Sequence, residues 1–175
     1  MALGVVLLLD SRTNEALVSL WHRLESLGIP TLASQTHRRH VPHVTYSLLE
    51  PDVEIEALLG AVATLPDHGP TPLSLQGVGT FPGGIAWLVP GPTASLATRQ
   101  AAVAAAVRGA GLGIHPDFEP GTWAPHCTIS TQLRLEQLPA LVEACHAILP
   151  LAASATRAAV IDTGTGRHWP LPGVP

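Results

Sequence analysis

An α+β fold, bilobal, with two pseudo-symmetric antiparallel sheets flanked by helices around a central cleft, is what this chain predicts, on three observations. Strand-like and helix-like segments follow one another in the order β-α-β-α-β, then β-α-β-α-β-β. The segments Leu73 to Thr80 and Ile85 to Val89 are separated only by Pro82-Gly83-Gly84, a tight turn that makes them an antiparallel hairpin and argues against a strictly parallel, doubly wound sheet. Third, Val41-Pro42-His43-Val44-Thr45-Tyr46-Ser47 and Ala124-Pro125-His126-Cys127-Thr128-Ile129-Ser130 carry Pro, His, Thr and Ser at the same offsets, one copy in each half of the chain. Two lobes facing a shared groove, within a single domain spanning 1–175, accommodate that repeat best.

Each element has its own warrant. Val5 to Leu9 is a continuous apolar run of strand length, read as a buried central strand. Asp10 or Ser11 caps a helix from about Arg12 to Leu27, whose Ala16, Leu17, Leu20, Trp21 and Leu24 keep helical spacing until Gly28 and Pro30 end it. Residues 31–42 are a polar connector holding His37-Arg38-Arg39-His40, and the first motif strand, 43–49, follows. Glu50-Pro51-Asp52 opens a second helix to about Leu65, with proline in the first turn. After the 73–89 hairpin, Gly91-Pro92 breaks the chain and an alanine-rich helix runs from about Thr93 to Gly109. An irregular connector from Gly111 to Gly121 leads into the second motif strand, 126–131. A helix over 134–149, a strand over 155–162 and a short strand near Arg167 to Leu171 complete the order.

Composition narrows the class. With 46% hydrophobic and 13% charged residues the chain has ample material for a core. A formal net charge of −4 argues against gripping nucleic acid through a broad basic surface and favours a small phosphorylated ligand or the end of an RNA. Cys127 and Cys145 form no disulfide framework and no zinc motif; Cys127 reads as a buried free thiol. The apolar run Leu3 to Leu9 is too short to span a membrane and lacks the basic flank of a signal peptide. A cytoplasmic protein with no membrane contact is expected, and nothing suggests an obligate partner, so a monomer is expected too.

The repeated motif points to specific chemistry. Proline presets its own φ and holds the preceding residue extended, so each histidine is approached along a stiff segment. Alternate strand residues share a face, which places His43, Thr45 and Ser47 together, and His126, Thr128 and Ser130 likewise. Two imidazoles and two threonine hydroxyls facing one another supply a proton donor, a proton acceptor and contacts for phosphate oxygens, which suits in-line attack at phosphorus. The two serines lie deeper, and orienting a neighbour accounts for them as well as substrate contact does. His37, His40 and His43 are three apart, but Pro42 breaks any helix that would align them and no nearby Asp, Glu or Cys completes a ligand set. No metal and no cofactor is expected. Arg38 and Arg39 are candidates for bidentate phosphate contact, though a solvated loop explains them equally well. Trp123, three residues before His126, is a candidate to stack on a base, against the plainer reading of an apolar contact where the strand begins.

His43-Val44-Thr45 and His126-Cys127-Thr128 resemble the paired His-x-Thr/Ser signature of the two-histidine (2H) phosphoesterases, and the chain is most similar to their LigT group of 2′-5′ RNA ligases and RNA 2′,3′-cyclic phosphodiesterases. The resemblance covers roughly residues 4–170 and includes Gln76-Gly77-Val78-Gly79-Thr80-Phe81; Tyr46 and Cys127 are less usual neighbours of the motif. It implies the bilobal fold, a metal-independent phosphodiesterase acting on a 2′,3′-cyclic phosphate or a 2′-5′ linkage, and a nucleotide or RNA terminus as substrate. It also implies His126 as base, His43 as acid, and Thr45 and Thr128 on the non-bridging oxygens. The competing expectation is a non-catalytic module that binds phosphorylated nucleotides or RNA ends, which has no need of two histidines.

Overall fold

The computed structural model describes residues 2–175. Its strands are β1 (Leu3–Leu9), β2 (His43–Leu48), β3 (Thr71–Phe81), β4 (Ile85–Pro90), β5 (Cys127–Ser130), β6 (Leu151–Asp162) and β7 (His168–Pro170). Its helices are α1 (Ser11–Ser26), α2 (Ile55–Val62), α3 (Ala94–Gly109) and α4 (Leu138–His146), with short 3-10 turns at Pro116–Phe118 and Leu135–Gln137. Every strand pairing is antiparallel, and the order across the sheet is β2-β1-β6-β3-β4-β5, with β7 also on β6.

The two lobes arise because β6 is long enough to serve two sheets. Residues from Ala155 to Asp162 pair with β1 on one side, and β7 lies on the other. Residues from Leu151 to Ala155 pair with β3, which carries β4 and β5 beyond it. Each lobe is thus a four-stranded antiparallel sheet with one strand in common. The lobes are interleaved in sequence: the C-terminal β6 lies mid-sheet, α2 packs with α3 beside β2, and α1 packs with α4 against β6 and β3. Helix α1 is capped by Asp10, whose carboxylate accepts from the Thr13 N–H at 2.9 Å and its hydroxyl at 2.7 Å; the same group accepts from the Ser154 N–H of β6. Leu17, Leu20, Trp21 and Leu24 form the buried stripe of this helix.

Three boundaries differ from the sequence expectation. The second helix begins at Ile55, not at Pro51, because the chain is held extended one step further: Leu49 bridges to Ile114 and the Glu50 N–H donates to the Gly113 carbonyl. Asp52 then turns the chain with φ 70°. The expected 134–149 helix divides into a 3-10 turn and α4, with Pro139 in the first turn where its missing N–H costs nothing. Strand β6 starts four residues earlier than expected, because Leu-Ala-Ala-Ser, weak as a strand signal, is recruited by β3. Among the described residues no helix is long and apolar enough to cross a membrane.

Candidate active site

The two motif strands end up as the outermost strands of the two lobes, and they approach each other across the gap. Three contacts join them or their flanks. The Trp123 indole N–H donates to the Thr45 carbonyl at 2.9 Å. The amide nitrogen of Gln100, buried on α3, donates both to the Tyr46 carbonyl at 3.1 Å and to the Phe118 carbonyl at 2.8 Å. The buried Cys127 thiol meets the backbone of His43; burial pushes this thiol up to about 12, and that backbone contact lowers it slightly.

Within each motif the histidine ring is oriented locally. Nδ1 of His43 lies 2.7 Å from the Val41 carbonyl, and Nδ1 of His126 lies 2.7 Å from the Ala124 carbonyl. A carbonyl only accepts, so Nδ1 must carry the hydrogen in both rings and Nε2 is left without a hydrogen when the ring is neutral. The Pro between carbonyl and histidine stiffens this three-residue loop.

The serines depart from the expected pattern, and for the same reason in both lobes. Register along β1 steps from Val6↔Thr45 to Val5↔Ser47, leaving Tyr46 as a bulged residue. Along β4 it steps from Trp87↔Thr128 to Ala86↔Ser130, leaving Ile129 bulged. A bulge inserts one residue and breaks the two-residue alternation. His43 and Thr45 therefore share one face while Ser47 turns to the other, and His126's neighbour Thr128 is separated from Ser130 in the same way. Both serines are fully buried. Each bulged carbonyl finds a donor outside its ladder: Gln100 for Tyr46, and the Leu32 N–H, at 3.0 Å, for Ile129.

The surroundings of the two histidines differ. His126 and Thr128 line a cavity of about 660 Å³ whose walls include Phe81, Phe118, His115 and Asp117. Phe81 meets the His126 ring edge-on at 5.3 Å between centroids, Trp87 at 5.8 Å, and Phe118 lies at 6.0 Å. Trp87 reaches this position because its cross-strand partner is Gly79, where any Cβ would collide with the indole. His43 lines a second, more polar cavity of about 290 Å³ together with Arg39, Arg157 and His168.

Burial is the main force on both rings and drives each below the ordinary histidine value. The carbonyl bonds of Val41 and Ala124 partly oppose it, and the charge of His126 further disfavours charge on His43. The cleft therefore accepts one proton more readily than two.

The other candidates separate cleanly. Arg39 lines the cavity with His43, whereas Arg38 stands outside both cavities at φ 56°. Thr45 is half-buried on the face of His43. Trp123 lines neither cavity; its indole packs against Tyr46 at 6.0 Å and its N–H is bonded to β2, so it ties the lobes together. Phe81, Phe118, Trp87 and Arg157 were not singled out from sequence. For the first and third a signal existed: a turn centred on Gly83 sets Phe81 opposite Ile85 and Gly79 opposite Trp87. Among the described residues no group of three His, Cys, Asp or Glu is placed to hold a metal.

The profile of the 2′-5′ RNA ligase superfamily matches residues 15–167. Among solved structures, Escherichia coli LigT complexed with 3′-AMP is similar at a TM-score of 0.61 and 18% identity, with 97% of this chain and 94% of that chain covered. A protein described as a phosphoesterase gives 0.60 and 19% over 97% and 94%, and Kluyveromyces marxianus Usb1 gives 0.52 and 15% over 98% and 97%. No curated protein matches the chain.

Proposed function

Because the chain belongs to the 2′-5′ RNA ligase superfamily, we propose that it is a phosphodiesterase that opens 2′,3′-cyclic phosphates, of an RNA end or a nucleotide, with water as the nucleophile; a 5′-hydroxyl in place of water, deprotonated by the same histidine, gives the 2′-5′-joining reaction. One observation carries this reading: two imidazoles on matched strands, each with Nδ1 held by the carbonyl two residues before it, so that both present Nε2. E. coli LigT, with the same fold, is seen with 3′-AMP, ATP and NADP+, which supports a nucleotide ligand here.

The steps follow from the protonation states. An anionic phosphodiester entering the cleft offsets the desolvation that keeps both rings neutral and draws in one proton. Neutral His126 takes a proton from water at Nε2 as the water oxygen attacks phosphorus. His43, protonated at Nε2, gives its proton to the departing ribose oxygen, and the ring P–O bond breaks. Thr45 and Thr128 hydroxyls donate to the non-bridging oxygens, where charge grows in the transition state. The apolar wall of Phe81 and Phe118 suits the flat face of a base. Acid and base are both supplied by side chains, so the reaction as written needs no metal, and one subunit carries the whole site.

The test is turnover of a panel of nucleoside 2′,3′-cyclic phosphates in excess EDTA by the native chain and by His43→Ala and His126→Ala. Metal-free opening that disappears in both variants supports the reading. Binding without turnover by the native chain overturns it in favour of a module that only recognises phosphorylated ends.

A further inference from the structure

The cavity beside His43 has chemistry that opening a cyclic phosphate does not use. In the sheet register His43 pairs with Leu8, and Leu8 pairs with Arg157. Directly paired residues of antiparallel strands stand on the same face, so Arg157 rises on the side of the catalytic ring, two strand spacings, or roughly 10 Å, away. The residue between them is apolar. His168 joins this face through its pairing with Ile161, four residues beyond Arg157 on β6.

The cations here are not engaged elsewhere. Among the described residues the arginine ion pairs are Arg108–Glu119 and Arg134–Glu136, Arg99 bonds to backbone carbonyls, and Arg167 lies over the Trp169 ring. Among the described residues neither Arg39 nor Arg157 has a hydrogen-bond or ion-pair partner for its guanidinium group. Nε2 of His37, also on this cavity, is buried without one; its ring is admitted by Gly166, where a Cβ would strike it. Of the two carboxylates on the cavity, Asp162 is satisfied within its own turn by the Gly164 N–H and the Thr165 hydroxyl, each at 2.8 Å. The other, Glu15, belongs to the α1 side, with Ser11 and Asn14.

We propose that Arg39, Arg157 and His37 form a second anion subsite that holds a further phosphate of the same substrate nucleotide. Resting on the phosphodiesterase reading, this names the substrate class: cyclic-phosphate nucleotides that also carry a 5′-phosphate. The base lies on the Phe81–Phe118 side of the dyad, the cyclic phosphate between the histidines, and the 5′-phosphate against the guanidinium groups, which match phosphate oxygens in pairs.

The experiment compares kcat/KM for a nucleoside 2′,3′-cyclic phosphate with and without a 5′-phosphate, in the native chain, Arg157→Gln and Arg39→Gln. Both arginines are exposed, so the substitutions leave the fold intact. A charge-assisted contact of this kind predicts about a tenfold or greater preference for the 5′-phosphorylated substrate, collapsing toward parity in the variants. Equal values in the native chain, or a preference indifferent to both substitutions, overturn the subsite and leave the dyad reading standing. Calorimetric binding of a nucleoside 3′,5′-bisphosphate against the 3′-monophosphate separates the two claims if neither substrate is turned over. Arginine-dependent tighter binding of the bisphosphate then keeps the subsite while the phosphodiesterase reading fails, and equal binding removes both.

Discussion

The His43 and His126 half-sites are alike in everything local and unlike in everything around them. Both have Pro before the histidine, Nδ1 at 2.7 Å from the carbonyl two residues back, a bulge three residues after the histidine, and a serine turned inward by it. Yet the His126 ring is walled by Phe81, Trp87 and Phe118, while the His43 ring shares its cavity with Arg39, Arg157 and three further histidines. The repeated Pro-His-x-Thr sequence accounts for the likeness of the rings. The unlike walls give one motif, used twice, two chemically different settings, which is what the proposed acid–base pair needs for a substrate whose two ends differ in chemistry.

The largest effect tests the likeness. His43→Ala and His126→Ala are each expected to lower kcat by about 10²- to 10⁴-fold on a cyclic-phosphate nucleotide, and the double variant by little more than either, since the pair acts as a unit. A bell-shaped pH dependence of kcat/KM is expected with it, because the proposed mechanism needs one neutral and one protonated ring. A flat profile between about pH 5 and 8 contradicts the mechanism.

Two further substitutions break one half-site at a time. Gly79→Ala drives a methyl group into the Trp87 ring that flanks His126; overpacking of this kind costs about 1–3 kcal/mol in urea unfolding and lowers kcat with it. Gly77→Ala, two residues away with open space around it, serves as the mild control. On the other side, Gln100→Leu leaves the Tyr46 and Phe118 carbonyls without their shared donor. A loss of about 1–3 kcal/mol is expected, with the Thr45 side of the cleft loosened.

The smallest effect is on acid stability. Burial, reinforced by the charges of His37 and His43, pushes His40 down to about 4 from an ordinary 6.5. Between those values the unfolded chain binds more protons than the folded one, so stability is fully present above pH 6.5 and is lost as pH falls through the window. His43 and His126 act in the same direction. Tm is therefore expected to drop between pH 7 and 5, and His40→Gln to flatten that drop by its share.

How much was legible from sequence follows the range of the forces involved. Helix α1 was readable because Asp10 and the Leu17–Leu20–Trp21–Leu24 stripe are local signals, and the β3–β4 hairpin because its turn is. Pro51 reads as the start of the second helix, whereas a bridge between Leu49 and Ile114 keeps the chain extended and the helix begins at Ile55. Trp123 reads as a packing contact at the strand entry ahead of a stacking platform for a base, and its bond to Thr45, across 78 residues of chain, shows what it packs against. Arg157 carried no sequence signal at all, since nothing local relates it to His43.

What the sequence by itself determined is the pair of matched imidazole and hydroxyl half-sites and the local orientation of each ring. The Pro-His-x-Thr motif contains the histidine and the stiff residue before it, and the carbonyl that orders the ring, of Val41 or Ala124, stands immediately ahead of the proline, within bonding reach along the chain. Tertiary structure alone decided three things: that β6 serves both lobes, that the two serines face inward, and that one imidazole has aromatic walls and the other cationic ones. The physical reason is shared. Strand alternation reports which residues are buried but not which strand lies alongside, and a bulge or a cavity wall exists only in the register between two strands.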